Sequence, residues 1–393
     1  MRVGGGPVVA LEPGNVAEAR DAMRSGGVVA LAGGGTKADW GSPLTPAPEV
    51  VVSSSGLDQL VAHNQGDLTA VVGAGMPIAR LQEHLACAGQ WLALDPASVG
   101  LGATVGGLLA TGDAGPRRHR YGAMRDLAIG LTAVLADGTV AHSGGQVIKN
   151  VAGYDLAKVF CGSLGTLGLV TGVSLRLHPL PAASATVRVA SSALVATGFV
   201  LALLASPVVA AALDWAGEAT WVRIEGTPAG VKAQVSGVAH VAASLGLSSE
   251  VVEGAEESAA WAELALGSYG APGEVVARAA TLPSQLGDAA EALGRAAGAA
   301  EVEAVLTSHA GVGLHTARLP ASAAESLASA VRGWRAAVGV LGGTVVVRRT
   351  VPGLAELVDA WGPPPRGARV MRRVKEALDP EGRLAPGRFS PWF

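Results

Sequence analysis

Apolar positions recur in two rhythms along this chain. In the first, short apolar runs alternate with helical spacings. Asn15–Ser25 has helical spacing, followed by strand Val28–Leu31 and a glycine turn. Val50–Val52 and Ala70–Val72 are further strands; Ser55 caps an expected helix over Leu57–His63. Pro77 opens a helix over Ile78–Ala88, which Gly89 stops. Leu127–Leu135 and Thr139–Ala141 flank Asp137-Gly138, the preferred turn of a tight hairpin. Strand Gly168–Leu177 ends at the prolines of His178–Pro181, which mark a boundary.

Beyond that boundary the order is strand Thr186–Ala190, a helix, strands Val208–Trp215 and Thr220–Glu225, then helix Pro228–Leu245. A second round follows: helix Leu286–Ala297, strands Val302–Ser308 and Gly313–Leu319, helix Ala321–Val338 and strand Gly343–Arg348. This repetition predicts an antiparallel sheet backed by helices, and an α+β fold overall. One helix is expected at Arg369–Leu378 in the Pro/Arg-rich tail. The expected division is 1–182, 183–350 and 351–393, with the last segment returning to the first. Ala193–Leu213 carries no charge, but Gly198, Ser206 and Pro207 interrupt it. It reads as a buried helix followed by a buried strand, not a membrane span.

Composition narrows the function. With 49% hydrophobic residues the chain has ample core, and a net charge of -3 without a basic stripe argues against nucleic acid. Aromatics are only 4% while glycines number 55, so many turns need glycine's backbone freedom. Two cysteines, Cys87 and Cys161, cannot hold an iron-sulfur cluster, which takes about four thiolates. The first ten residues make a poor signal peptide, and a cytoplasmic location is expected, with partners as the route to the inner membrane.

The chemistry lies in the glycine loops. Gly33-Gly34-Gly35-Thr36-Lys37 follows a strand, where backbone N–H groups can turn to an anion. Alone it reads as a tight surface turn. It is followed by Asp95-Pro96, Thr104-Val105-Gly106-Gly107 and Thr111-Gly112-Asp113-Ala114-Gly115. Then come Lys149-Asn150-Val151-Ala152-Gly153-Tyr154-Asp155 and Gly165-Thr166-Leu167-Gly168-Leu169-Val170. As an ordered set over roughly residues 20–180, these resemble the FAD-binding domain of the vanillyl-alcohol oxidase superfamily, the PCMH type. Ala114–Arg118, Gly153–Lys158, Val222–Gly226, Met371–Lys375 and the ending Pro386-Gly387-Arg388-Phe389 extend the likeness to the small FAD-binding subunit of bacterial glycolate oxidase.

The resemblance implies a PCMH-type FAD domain of two subdomains and a cap whose antiparallel sheet carries helices on one face. Gly33–Lys37 would meet the pyrophosphate of FAD. Pro96, Thr104, Gly106 and Gly107 would lie along pyrophosphate and flavin, Thr111, Gly112 and Gly115 near the isoalloxazine, and Gly165, Thr166, Gly168 and Val170 at the adenine end. Relatives with covalent flavin often have His just after the first glycines; Thr36-Lys37 stands there, so non-covalent FAD is expected. Ala385 replaces the Asn that relatives usually place before the tail proline, which puts a tail contact with flavin in doubt. The implied partners are a larger FAD subunit, an iron-sulfur subunit and a small 2-hydroxy acid substrate. A stand-alone flavin oxidase or a non-catalytic assembly subunit are the alternatives.

Oxidising a 2-hydroxy acid needs a base and a carboxylate clamp. Ser308-His309-Ala310-Gly311-Val312-Gly313-Leu314-His315 resembles a shortened form of the histidine metal motif of the catalytic subunits, with no matching acidic segment. His309 and His315 are candidates for catalysis, and no metal is assigned. Arg223, Arg318, Arg348 and Arg349 are either clamps or exposed sheet-face arginines. Arg117-Arg118-His119-Arg120 reads as a substrate clamp, a phosphate cap, a partner contact or a solvated run.

Overall fold

The computed structural model describes residues 8–145 and 154–393; the expected loop at Lys149–Gly153 lies outside them. Three parallel strands come first, in the order Val9–Leu11, Val50–Ser53, Val29–Ala32. A five-stranded antiparallel sheet follows, in the order Leu60–Asn64, Thr69–Gly73, Leu169–Arg176, Ala128–Val134, Val140–Gly144. The Asp137-Gly138 turn closes its last hairpin: Gly138 has φ +82° and Asp137 Oδ1 accepts the Thr139 N–H at 2.7 Å.

Leu57–His63 is not a helix. Leu60–Asn64 pairs as an edge strand with Thr69–Gly73, so cross-strand pairing outweighs the weak local helix preference, and Ser55 caps nothing. Val208–Trp215 also shortens: its strand runs Ala212–Ala216.

The third sheet has eight strands, all antiparallel, in the order Ser249–Val252, Ala183–Ala190, Ala219–Gly226, Ala212–Ala216, Val305–His309, Leu314–Leu319, Val275–Ala280, Thr344–Arg349. Ala212–Ala216 pairs with Val305–His309, joining the two rounds foreseen in the sequence into one sheet. Helices Ala193–Leu204, Pro228–Ser244, Leu286–Ala299 and Ala324–Val340 cover one face. Their Phe199, Val238, Leu293 and Trp334 pack on Val187, Leu213, Val222, Ala277 and Ala317 in one core. Thr227 accepts the Gly230 N–H and Pro228 takes the first turn, which fixes where the second of these helices begins.

Alternate residues of each strand point the other way. That second face carries Thr186, Ala212, Asp214, Arg223, Glu225, Arg278 and Thr316, and part of it is covered by helix Gly254–Tyr269, through Trp261 on Ala212. Ala193–Leu204 buries only the face of Ala196, Phe199, Val200 and Leu203 and leaves Leu194 and Leu201 exposed, so it is not the fully buried helix expected; no helix among the described residues is long and apolar enough to cross a membrane.

The tail crosses back over the N-terminal sheets. Leu384 bridges Val29, and the Ala385 N–H donates to Val29 O at 2.8 Å. Lys375 Nζ donates to Thr166 O, and Arg383 to the carbonyls of Met23 and Ala136.

Candidate functional site: a glycine-lined cleft beneath the second sheet face

Strand Val29–Ala32 delivers its last residue into the Gly33–Lys37 loop. The glycines there are demanded by close approach. A Cβ on Gly33 would lie 2.4 Å from Thr104 Oγ1, and one on Gly34 would lie 2.0 Å from Gly102 O. Gly35 has φ +70°. Thr104 holds the second loop by accepting the Gly107 N–H at 3.1 Å. The loops form a cleft of about 120 Å³, lined by Gly33, Gly34, Gly35, Thr36, Lys37, Thr104, Gly106, Gly107, Thr111, Gly165, Gly168 and Val170. Among the described residues, the amides of Gly34–Lys37 donate to no backbone carbonyl. Narrow walls of backbone with undonated N–H groups suit a diphosphate. Thr166 and Gly112 stand back from the cleft: the Thr166 hydroxyl donates to Ser163 O, and Gly112 ends a helix at φ +60°.

Lys37 lines this cleft, but its ammonium turns into the interior. Nζ donates to Ser98 Oγ at 2.9 Å and sits 3.4 Å from Asp113 Oδ2. Burial pushes the Lys37 pKa down, and Asp113 opposes the shift. Asp113 also accepts from Ser98 at 2.8 Å and lies 3.7 Å from Arg348. Arg348 stacks over Trp40, and its desolvation lowers its pKa to about 10 despite Asp113. It stays charged at neutral pH.

Pro96, Asp113 and Gly115 of the N-terminal half face Arg278 and His309 of the second sheet across a cavity of about 10 Å³. Trp40 and Tyr269 close its sides. His309 is buried, its Nδ1 2.9 Å from Asp214 Oδ2, while Nε2 has no partner.

His315 goes elsewhere. It pairs with Ser308 across the hairpin, whereas His309 pairs with Leu314, because the turn Ala310–Val312 reverses the chain. Cross-strand partners share a face, so the two histidines look out of opposite faces and do not converge. His315 is fully buried, with Nδ1 2.8 Å from Ser308 Oγ and Nε2 2.8 Å from Thr281 Oγ1. Among the described residues, no group of three or more His, Cys, Asp or Glu could hold a metal ion.

The arginines also separate. Arg318 pairs with Glu274 at 3.3 Å and Arg349 with Asp39 at 2.7 Å; both line a larger cavity of about 1260 Å³ between the first glycine loop and helix Gly254–Tyr269. Arg223 lies 3.1 Å from Glu257 and 3.4 Å from Glu225. Glu225 in turn takes Arg117, whose other side holds Asp95 at 3.1 Å. Asp95 is pushed up by burial, against the pull of Arg117. Of the Arg117–Arg120 run, Arg117 therefore serves a buried bridge between the halves, and Arg120 donates to Glu225 O at 3.0 Å.

Residues 7–144 match the FAD binding domain family, and residues 360–389 match the C-terminal domain of FAD linked oxidases. Over 203 residues, 52% of this chain, it is 34% identical to glycolate oxidase subunit GlcE of Escherichia coli. It is 32% identical over 45% of its length to glycolate oxidase subunit GlcD of Bacillus subtilis. It is 37% identical over 38% of its length to the mitochondrial cytochrome D-lactate dehydrogenase of Arabidopsis thaliana. These matches span 57%, 39% and 26% of the three relatives. Among solved structures, p-cresol methylhydroxylase superposes with a TM-score of 0.72 at 15% identity, over 97% of this chain and 88% of that one. Alkyldihydroxyacetonephosphate synthase gives 0.70 at 16%, over 96% and 75%. The chain therefore carries an FAD-binding domain, FAD is its cofactor, and its fold is the one seen in p-cresol methylhydroxylase.

Proposed function

We propose that this chain is the FAD-binding subunit of a glycolate-type 2-hydroxy-acid oxidoreductase that passes electrons to partner subunits. The observation that carries the proposal is the small cavity across which His309 of the cap faces Pro96, Asp113 and Gly115 of the N-terminal half. The likeness to glycolate oxidase and D-lactate dehydrogenase chains supports the substrate class. In this reading, residues 1–182 are the FAD domain, 183–350 the cap, and 351–393 a strap over the FAD domain. Backbone groups of Gly33–Lys37 hold the pyrophosphate, and Thr104, Gly106 and Gly107, whose own amides are partly committed within the protein, form the wall facing it. Gly165, Gly168 and Val170 meet the adenine end, while Thr166 supports their loop from behind. Pro96, Thr111 and Gly115 border the ring, which needs Trp40 and Tyr269 to give way. Bound FAD supplies a two-electron acceptor; this chain orients it, excludes water and takes the hydroxyl proton. The FAD is held non-covalently.

Two thiols, Cys87 and Cys161, make no iron-sulfur site, so a larger flavoprotein and an iron-sulfur chain are the proposed partners, working in the cytoplasm. The test is anaerobic flavin absorbance with glycolate and with D-lactate, for the chain alone and after co-expression with such partners. Reduction only in the complex supports the subunit reading; no reduction in either overturns it. A stand-alone oxidoreductase is favoured by the His309–Asp214 pair, which this chain completes by itself, and fast reduction of the lone chain selects that reading.

A further inference from the structure

Arg278 was not among the arginines that the sequence brought forward, yet it is buried, has an unpartnered guanidinium nitrogen and faces His309 across the small cavity. It rises from the middle of strand Val275–Ala280 and is 6% exposed. Its Nε donates to Thr316 Oγ1 at 3.2 Å, while NH1 has no partner. Unlike Arg223, Arg318 and Arg349, it has no carboxylate in salt-bridge contact among the described residues. Burial, reinforced by Arg348, disfavours its charge. A buried cation with an unused donor is costly unless an anion completes it.

The same small cavity contains a second incomplete group. Nε2 of His309 is buried and unpartnered, while Nδ1 is fixed by Asp214. Asp214 Oδ1 also has no partner, so this carboxylate is committed to the histidine and to no other described hydrogen-bond donor. Strand Leu314–Leu319 lies between the two groups. Arg278 stands opposite its Thr316, and His309 is the neighbour of its Leu314 on the far side. Strands separated by one intervening strand lie about 10 Å apart, a span that an Arg and a His side chain can close from both sides.

We infer that Arg278 is the carboxylate clamp of the substrate pocket, that His309 is its proton acceptor, and that Asp214 positions His309. This rests on the 2-hydroxy-acid reading and narrows it. The clamp takes one carboxylate of a small acid; the cavity of about 10 Å³ has room for about one water, so Trp40 and Tyr269 must give way for the acid to enter. In the reaction the substrate's O–H bond breaks and its proton goes to His309 Nε2. Its Cα–H bond breaks and the hydride, with both electrons, goes to bound FAD. The C=O bond forms, leaving a 2-oxo acid and reduced flavin. Asp214 touches neither substrate nor flavin; it holds the ring with Nε2 facing the pocket and balances the imidazolium.

The test is calorimetric titration of the full chain with oxalate, a small dianion that cannot be oxidised by hydride loss, alongside flavin absorbance. Charge-assisted hydrogen bonds predict that Arg278→Met weakens oxalate about 10- to 100-fold, and that Arg278→Lys recovers part of that loss. Asp214→Asn leaves oxalate affinity and KM within about three-fold but lowers kcat about 10²-fold, the low end of a general-base effect. Oxalate affinity unchanged in both Arg278 variants overturns the clamp. No oxalate binding by wild-type protein that carries its flavin does so too, and leaves the FAD assignment standing. Protein that never retains FAD counts against the functional reading instead, and oxalate titration of that protein still decides the clamp.

Discussion

Arg117 and Glu225, 108 positions apart in sequence, meet at 2.6 Å inside the protein. Arg117 comes from the loop after the second glycine motif, and Glu225 from the second face of the eight-stranded sheet. The Glu225 carboxylate also accepts from Tyr121 at 3.1 Å, and Arg117 stacks over Trp91. This pair holds the eight-stranded sheet against the N-terminal half of the chain. Breaking one side of a buried pair leaves an uncompensated charge, typically about 3–5 kcal/mol. Arg117→Met should therefore lower stability by that order in denaturant titration. The double variant Arg117→Met, Glu225→Met should recover part of it. A loss under about 1 kcal/mol for the single variant, the range of a surface pair, would show that the halves are held by apolar packing alone.

Gly34 tests the phosphate cleft. Its missing side chain is what lets the first loop touch Gly102, so even Gly34→Ala must drive the two loops apart. Overpacking of this kind costs about 1–3 kcal/mol, and FAD affinity should fall about 10- to 100-fold. Gly35→Ala has open space around its Cβ and meets only the penalty of its positive φ, so it should retain more flavin. The readout is flavin absorbance per mole of purified protein. Equal retention in both variants would separate the loop contact from flavin binding. Acid precipitation of the wild type should leave the yellow colour in the supernatant, as Thr36-Lys37 gives no histidine link at this loop.

Ala385 has φ +45° and is almost fully buried where the tail lies on Val29. Non-glycine residues rarely hold this conformation, and Asn tolerates it better than Ala. Ala385→Gly should remove the strain and raise stability by up to about 1 kcal/mol, less the extra freedom it gives the unfolded chain. Thermal unfolding at fixed FAD concentration measures it. A drop of more than about 1 kcal/mol would mean that the methyl packing outweighs the strain.

The glycine loops were legible because close backbone approach leaves glycine little competition: Gly33 and Gly34 have no room for a Cβ. The repeated strand–helix rounds were legible from periodicity; the pairing of Ala212–Ala216 with Val305–His309 that joins them was not, because strand order depends on contacts far apart in sequence. Helix Gly254–Tyr269 was not, because Ala and Leu are spread around it and no apolar stripe stands out. The candidate pocket was half legible. His309 stood in a recognisable segment, but Asp214 is a lone acid 95 residues earlier, and Arg278 sits in an Ala/Val strand with nothing to distinguish it. Only the sheet order brings them together. His309 and His315 came from one segment as candidates for one site; the Ala310–Val312 turn between them puts them on opposite faces of the sheet.

His315 makes the sharpest pH prediction. Burial, then the neighbouring His309, lowers its pKa from 6.5 to about 4. Ser308 and Thr281 occupy both ring nitrogens with hydroxyls, which satisfy a neutral imidazole in either tautomer. Between pH 6.5 and about 4 the unfolded chain binds a proton at this residue and the folded chain does not. The unfolded state then holds more protons, so stability rises with pH across that window and is lost as pH falls through it. The full shift corresponds to about 3 kcal/mol. His119 and His178, also pushed down by burial, add slopes of the same sign in the wild type. The difference between wild type and His315→Gln isolates this residue, since Gln keeps hydrogen-bonding groups and cannot titrate. The variant should lose less stability than the wild type from pH 6.5 to 4, by an amount approaching that figure. Parallel curves for the two proteins would show that His315 takes its proton in the fold as readily as in the unfolded chain.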